Sequence, residues 1–222
     1  MKGVIFDVDG VIVDVRESYH YAIKLTAEKF LGFDVPIEKV RFIKFSKGIN
    51  NDWIATREVI RHFGREADLD HIISVFNEIY KSLRDKERLI LDEDFFAHLK
   101  AQGIPLGVLT GRPKEDLSYT FEKFGLFKYF DFLLDDDDIP LNDLKKPHPY
   151  ALHLCIEHMN LSACVYVGDS LADWEMVAYY RKMYDKPVEY IHFGDNIKLD
   201  NVKSVNTPQD LKLALQEVLK HL

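Results

Sequence analysis

The chain predicts an α/β protein, a doubly wound parallel sheet with a helical domain inserted after its first strand, and three observations carry that prediction. Near the N-terminus Val4-Ile5-Phe6 is a β-branched and aromatic run that ends abruptly in Asp7-Val8-Asp9-Gly10, as a buried parallel strand does where it reaches the ligand-binding edge of a sheet. From Asp92 onward, short apolar runs alternate with one-faced helical segments, the rhythm of parallel strands joined by crossover helices. Between about residue 15 and residue 88 the pattern is helical throughout, with no strand-like segment. The sequence therefore assigns 1–14 and 89–222 to the α/β core and 15–88 to a helical insertion.

In order along the chain, Tyr19, Ala22, Ile23, Thr26, Ala27 and Phe30 mark one face of a helix. Gly32 and Pro36 close it and start a second around Ile37, Val40 and Ile43, which stops near Ser46-Lys47-Gly48. A third runs from Asn51 through Trp53, Ile60 and Phe63, and a fourth carries Leu69, Ile72, Ile73, Phe76, Tyr80 and Leu83. Phe96 and Leu99 then sit on a helix closed by Gly103, and Ile104 to Leu109 is a strand. Pro113 opens a helix carrying Leu117, Phe121 and Phe124, and Asp131 to Leu134 is strand-like. Tyr150 to Met159 and Leu171 to Arg181 read as helices, Ala163 to Val167 and Val188 to Phe193 as strands. The last helix begins with Thr207 as cap, Pro208 at its first position and Asp210 in its first turn.

Composition narrows the function classes. Of the 222 residues 47% are hydrophobic and 13% aromatic, enough for one sizeable core and a smaller one. A net charge of -8 argues against a broad nucleic-acid surface, so any attraction for a phosphorylated ligand must come from local cations or a metal. Cys155 and Cys164 lie in apolar segments without CxxC spacing and read as reduced core residues. The third residue already belongs to the first strand, so no signal peptide is expected, and no apolar run approaches the ~20 residues of a membrane span. A cytoplasmic protein with no membrane partner is expected.

Chemistry is expected at the carboxyl ends of the strands, where a doubly wound sheet holds its ligand. Asp7 and Asp9 are two positions apart at the end of the first strand, and Gly10 lets the backbone turn beside them. Two carboxylates that close, with no His or Cys nearby, suit Mg²⁺. The strand at Val108-Leu109 ends in Thr110-Gly111-Arg112, Val165-Tyr166-Val167 ends in Gly168-Asp169-Ser170 with Asp173 beyond, and Lys145-Lys146-Pro147 precedes a helix. Taken singly, each is also a turn, a helix cap or a solvated lysine. Together they place carboxylates for a metal, a hydroxyl and backbone N–H groups for anion oxygens, and an ammonium on one sheet edge.

Asp7-Val8-Asp9-Gly10, Thr110, Lys146-Pro147 and Gly168-Asp169-Ser170 with Asp173 resemble the four ordered motifs of the haloacid dehalogenase-like hydrolase superfamily. The helical block is similar to the cap of its subfamily of phosphoglycolate phosphatases and β-phosphoglucomutases, and Lys44-Phe45-Ser46-Lys47-Gly48 stands where that cap carries a specificity loop. The resemblance implies that Asp7 is the nucleophile that becomes an aspartyl-phosphate, with Mg²⁺ held by Asp7, the Asp9 carbonyl and Asp169. It implies Asp9 as general acid and base, holding its proton more tightly than Asp7, with Thr110, Gly111 and Lys146 on the transferring phosphoryl group. Asp173 would stand behind them, orienting a metal-bound water or Lys146. Arg112, Lys47 and Asn50 are candidate substrate contacts, and Lys44 and Lys47 could face a second anionic group such as a carboxylate. The second acid favours phosphoryl chemistry over dehalogenation. Hydrolysis of a small phosphate monoester is the expected activity; a phosphomutase or a non-catalytic phosphate-binding protein of the same fold are alternatives. A phosphoacceptor receiver domain has no need of so long a helical insertion.

Overall fold

Val4, Ile5 and Phe6 are completely buried because β1 (Lys2–Phe6) lies in the middle of a six-stranded parallel sheet. In the computed structural model, which describes residues 1–222, the chain divides into two units, Met1–Val13 with Leu89–Leu222 and Asp14–Arg88. Their boundaries fall within the two-residue strands β2 (Val13–Asp14) and β3 (Arg88–Leu89).

The first unit adds, in chain order, α5 (Glu93–Ala101), β4 (Leu106–Leu109), α6 (Lys114–Lys123), β5 (Phe132–Leu134), α7 (Tyr150–His158), β6 (Ala163–Gly168), α8 (Leu171–Met183), β7 (Val188–Phe193), β8 (Lys203–Val205) and α9 (Pro208–His221). The sheet order is β5-β4-β1-β6-β7-β8. Alternation along β1 divides the core. Phe6 meets Phe96 and Phe95 edge-on at 5.7 and 6.3 Å between ring centres, while Ile5 joins Leu152, Cys155, Ile156, Tyr166, Met176 and Val177. Cys155 and Cys164 are free and buried, and burial pushes both thiols up from their ordinary pKa. Lys203–Val205 is the one strand of the six-stranded sheet that the sequence pattern does not show. It is a three-residue edge strand with Lys203 and Ser204 exposed, so it lacks the apolar run that marks a buried strand.

The second unit is α1 (Tyr19–Leu31), α2 (Ile37–Ser46), α3 (Asp52–His62) and α4 (Leu69–Leu83). Asn51 and Asp68 cap α3 and α4 by accepting from the Ile54 and His71 amides, each at 3.0 Å. Tyr19 stacks on Tyr80 at 4.1 Å, and the Tyr80 hydroxyl and Ser18 hydroxyl both donate to the buried carboxylate of Glu87. No helix of the chain is long and apolar enough to cross a membrane.

His20 is a buried polar residue within this core. It is 5% exposed, its ring lies edge-on to Phe45, and its Nδ1 has no hydrogen-bond partner. Burial, reinforced by the charges of Lys44 and Arg41, pushes its pKa down from 6.5 to about 3. The folded chain thus keeps His20 neutral where the unfolded chain protonates it. Stability from this residue is complete above pH 6.5 and is lost, by roughly 1.4 kcal/mol per pH unit, as the pH falls toward 3. His20→Leu is expected to flatten the fall in thermal midpoint between pH 7 and pH 5, measured by circular dichroism on variant and wild type side by side.

Candidate active site

The register of the sheet brings the separate motifs together. Phe6 is paired with Val108 on one side and Val167 on the other, and the Asp7 amide continues the ladder by donating to the Val167 carbonyl. Asp7, Thr110 and Asp169 therefore leave three adjacent strands at nearly the same level. Gly168, opposite His192 on β7, admits Asp173 close to the sheet: a Cβ on Gly168 would come within 2.5 Å of the Asp173 Cβ.

Asp7 is 5% exposed. Its Oδ1 accepts from the Val8 amide at 2.8 Å and faces Lys146 Nζ at 3.1 Å. Lys146 Nζ also donates to Asp173 Oδ1 at 2.8 Å and lies 5.4 Å from the centre of the Tyr166 ring. Both oxygens of Asp173 are in use, Oδ1 also taking the Tyr166 hydroxyl at 2.9 Å and Oδ2 the Ser170 hydroxyl at 2.7 Å. Ser170 caps α8 reciprocally through the Asp173 amide. Asp173 thus holds Lys146 in place and starts a helix with the same carboxylate.

The charges of this cluster are unequal. Burial raises the Asp7 carboxyl above its ordinary range and outweighs the Lys146 ammonium, with Asp173 and Asp9 adding to the rise, so that its pKa is pushed up to about 7. Asp173, although fully buried, is held below the usual carboxylate range by Lys146 and by the Ser170 and Tyr166 hydroxyls. Lys146 is held above its ordinary value, its burial overcome by Asp173 and Asp7.

A cation would restore Asp7 to its ionised form, and the residues present fit one. Carboxylate oxygens of Asp7, Asp169 and Asp173 lie within 4.8 Å of one another, an all-oxygen set that suits a hard divalent ion. Gly10, at φ +76°, is part of the same cradle, because a Cβ there would stand 2.0 Å from Asp169 Oδ2. Asp173 already accepts from Lys146, Tyr166 and Ser170, so Asp7 and Asp169 are the carboxylates that would hold such an ion.

Thr110 is buried, and its Oγ1 accepts from the Arg112 amide at 3.1 Å. Gly111 is the exposed residue between them. Two expectations change here. Arg112 is not an open phosphate contact: it is 1% exposed, with Nε donating to Asp9 Oδ1 and Nη1 to the Thr120 hydroxyl, each at 2.6 Å. The Asp9 side chain, bound to that guanidinium, is accordingly not among the clustered carboxylates, which leaves its backbone carbonyl as the part available to a metal. In the helical unit Lys44 is paired with Asp52, Lys47 Nζ donates to Glu58 at 2.8 Å, and Asn50 is half-buried. Each lysine of the expected cationic pair thus already has an acid beside it, Lys44 largely enclosed and Lys47 half exposed.

The sequence reading missed Tyr166 and Asn196. Tyr166 was hidden within an apolar strand. Asn196, whose side-chain amide donates to the Asp169 carbonyl at 2.9 Å, follows the end of β7, where the strand-end rule applied to the other strands would have found it.

A family model for haloacid dehalogenase-like hydrolases matches residues 1–180, and the chain belongs to that family. It is 28% identical over 188 residues to a phosphoglycolate phosphatase of Cereibacter sphaeroides, covering 78% of each chain. It is 26% identical over 186 residues to an imidazoleglycerol-phosphate dehydratase of Phytophthora nicotianae, where the match covers 78% of this chain but only 40% of the relative. Among solved structures, a putative phosphoglycolate phosphatase of Lactobacillus plantarum superposes with a TM-score of 0.75 at 18% identity, over 96% of this chain and 98% of that one. The phosphatase Tt82 of Thermococcus thioreducens does so at 0.68 and 27%, over 97% and 99%.

Asp173→Asn should leave the buried Lys146 short of a counter-charge and cost about 3 kcal/mol of stability, read as a lower urea midpoint at pH 7.5.

Proposed function

We propose that the chain hydrolyses a small phosphate monoester, of the phosphoglycolate or sugar-phosphate kind, through an aspartyl-phosphate on Asp7, with Mg²⁺ as its metal. The observation that carries this reading is the buried Asp7 carboxylate, held by the Val8 amide and facing Lys146 at 3.1 Å, beside the Asp169 carboxylate that packs on Gly10. A carboxylate does not approach a phosphate dianion unless the charge of the pair is cancelled.

Asp7 and Asp169, with the Asp9 carbonyl, would hold the metal, which supplies positive charge against the transferring phosphoryl oxygens when bound. Lys146 gives a second positive charge from the protein itself. The Thr110 hydroxyl and the Gly111 N–H are suited to the phosphoryl oxygens. Asp9 gives its proton to the departing alkoxide and recovers one from the water that opens the aspartyl-phosphate. The phosphoglycolate-like choice is supported by the names of the relatives rather than by the lysines of the helical unit, which are ion-paired. A reducing, cytoplasmic setting fits the two free buried thiols.

Phosphate release from 2-phosphoglycolate, glucose 6-phosphate and p-nitrophenyl phosphate, with Mg²⁺ and again with EDTA, tests the reading. Metal-dependent release from at least one ester is expected, and Asp7→Asn should reduce it more than about 1,000-fold with an unchanged circular dichroism spectrum. Silence across the panel together with conversion between glucose 1-phosphate and glucose 6-phosphate would replace hydrolysis by mutase chemistry.

A further inference from the structure

Arg112 is among the largest side chains in the chain to be completely buried, and it is a cation. A guanidinium cannot surrender its proton at any working pH and accepts no hydrogen bond, so it is rarely enclosed without a specific partner. Here Nε donates to Asp9 Oδ1 and Nη1 to Thr120 Oγ1, each at 2.6 Å, and Thr120 is itself fully buried on α6. The backbone of the same residue is fixed at both ends. Its amide donates to Thr110 Oγ1 at 3.1 Å, and its carbonyl accepts from the Asp136 amide at 2.9 Å. The Asp9 side chain, in contrast, is 29% exposed. One oxygen of Asp9 is thus tied to a rigid, buried cation while the carboxylate still reaches solvent.

We infer that Arg112 is a positioning residue for the acid and base of the reaction: by occupying Oδ1 of Asp9 it directs proton exchange to Oδ2 and keeps that side chain turned away from the metal carboxylates. The inference rests on the role proposed above for Asp9. In the first half-reaction an Asp7 oxygen bonds to phosphorus, the ester P–O bond breaks, and the proton on Asp9 Oδ2 passes to the departing oxygen, which leaves as an alcohol. In the second, water bonds to phosphorus, the Asp7–phosphorus bond breaks, and a proton of that water returns to Asp9 Oδ2. Protons and bonds balance, and Arg112 neither gives nor takes one. Because Arg112 also bonds Thr110 through its amide, it fixes the acid relative to the residue suited to the phosphoryl oxygens.

The consequence is a dependence on the leaving group. An alkoxide departs only with a proton from Asp9, whereas p-nitrophenolate is a stable anion and needs that proton far less. Wild type, Asp9→Asn, Arg112→Met, Arg112→Lys and Thr120→Val would be compared on 2-phosphoglycolate or glucose 6-phosphate and on p-nitrophenyl phosphate, with kcat and KM resolved and folding checked by thermal melting. Asp9→Asn should lose about 100-fold more kcat on the alkyl ester than on the aryl ester. Arg112→Met should reproduce that selective loss by about 10-fold or more, Arg112→Lys should recover part of it, and Thr120→Val should show it in smaller measure. Equal loss on both esters in Arg112→Met, or no loss, while Asp9→Asn remains selective, overturns the inference. If Arg112→Met does not fold, Thr120→Val decides in the same way. If Asp9→Asn treats both esters alike, the acid role of Asp9 fails first and the inference falls with it, an outcome distinct from failure at Arg112 alone.

Discussion

Three carboxylates crowded against one ammonium at the carboxyl edge of a parallel sheet form the constraint on which the rest of this site depends. Asp7, Asp169 and Asp173 bring their oxygens within 4.8 Å of one another, and Lys146 reaches two of them. Such a cluster is unstable by itself. The protein lowers its energy unevenly, saturating Asp173 with five donors from Lys146, Tyr166, Ser170 and the Asp169 and Ser170 amides, while Asp7 is left with a raised affinity for a proton. The position that needs a cation is therefore also the position proposed for the nucleophile. Charge and chemistry are assigned by the same hydrogen-bond pattern.

A second cation organises the other side of the site. Arg112 holds Asp9 as Lys146 holds Asp173, but the two differ as their chemistry requires. Lys146 is a point charge that faces Asp7 and Asp173 at once, and it would meet a phosphoryl group as well. Arg112 presents a planar fork that holds one carboxylate oxygen of Asp9 and a buried threonine hydroxyl. Both acids of motif one are then restrained by their neighbours in different ways, Asp7 through charge and its Val8 amide and Asp9 through geometry. The six-stranded sheet supplies the rigid frame that permits this, since residues on separate strands keep their level through the ladder.

Much of this was legible beforehand. Asp7, Asp9, Thr110 and Asp169 stand out because polar residues ending apolar strands have no reason to be there in a core, and Lys146 stands out by its place before a helix in the same order of motifs. The helical faces of α1 and α4 are equally plain, since their buried positions recur with helical spacing. Three features were not legible, for physical reasons. Tyr166 satisfies the apolar pattern of β6 with its ring and uses only its hydroxyl in the site. Lys203–Val205 is too short and exposed to show a strand signature. Lys44 and Lys47 look like free cations in sequence, yet Asp52, the first residue of the next helix, and Glu58, further along it, take them up.

The sequence by itself determined the fold class, the order of the helices and of five of the six strands of the main sheet, and most of the residues that gather at the sheet edge. Those depend on local periodicity and on residue type, which are written linearly. Only the tertiary structure decided which acid each cation serves. Arg112 lies 103 positions from Asp9, and Lys146 lies 27 positions from Asp173, so neither partnership has a local signal. Whether a charged side chain faces a ligand or holds a neighbour depends on burial and on distances of a few tenths of an ångström, and these arise when the strands take their register.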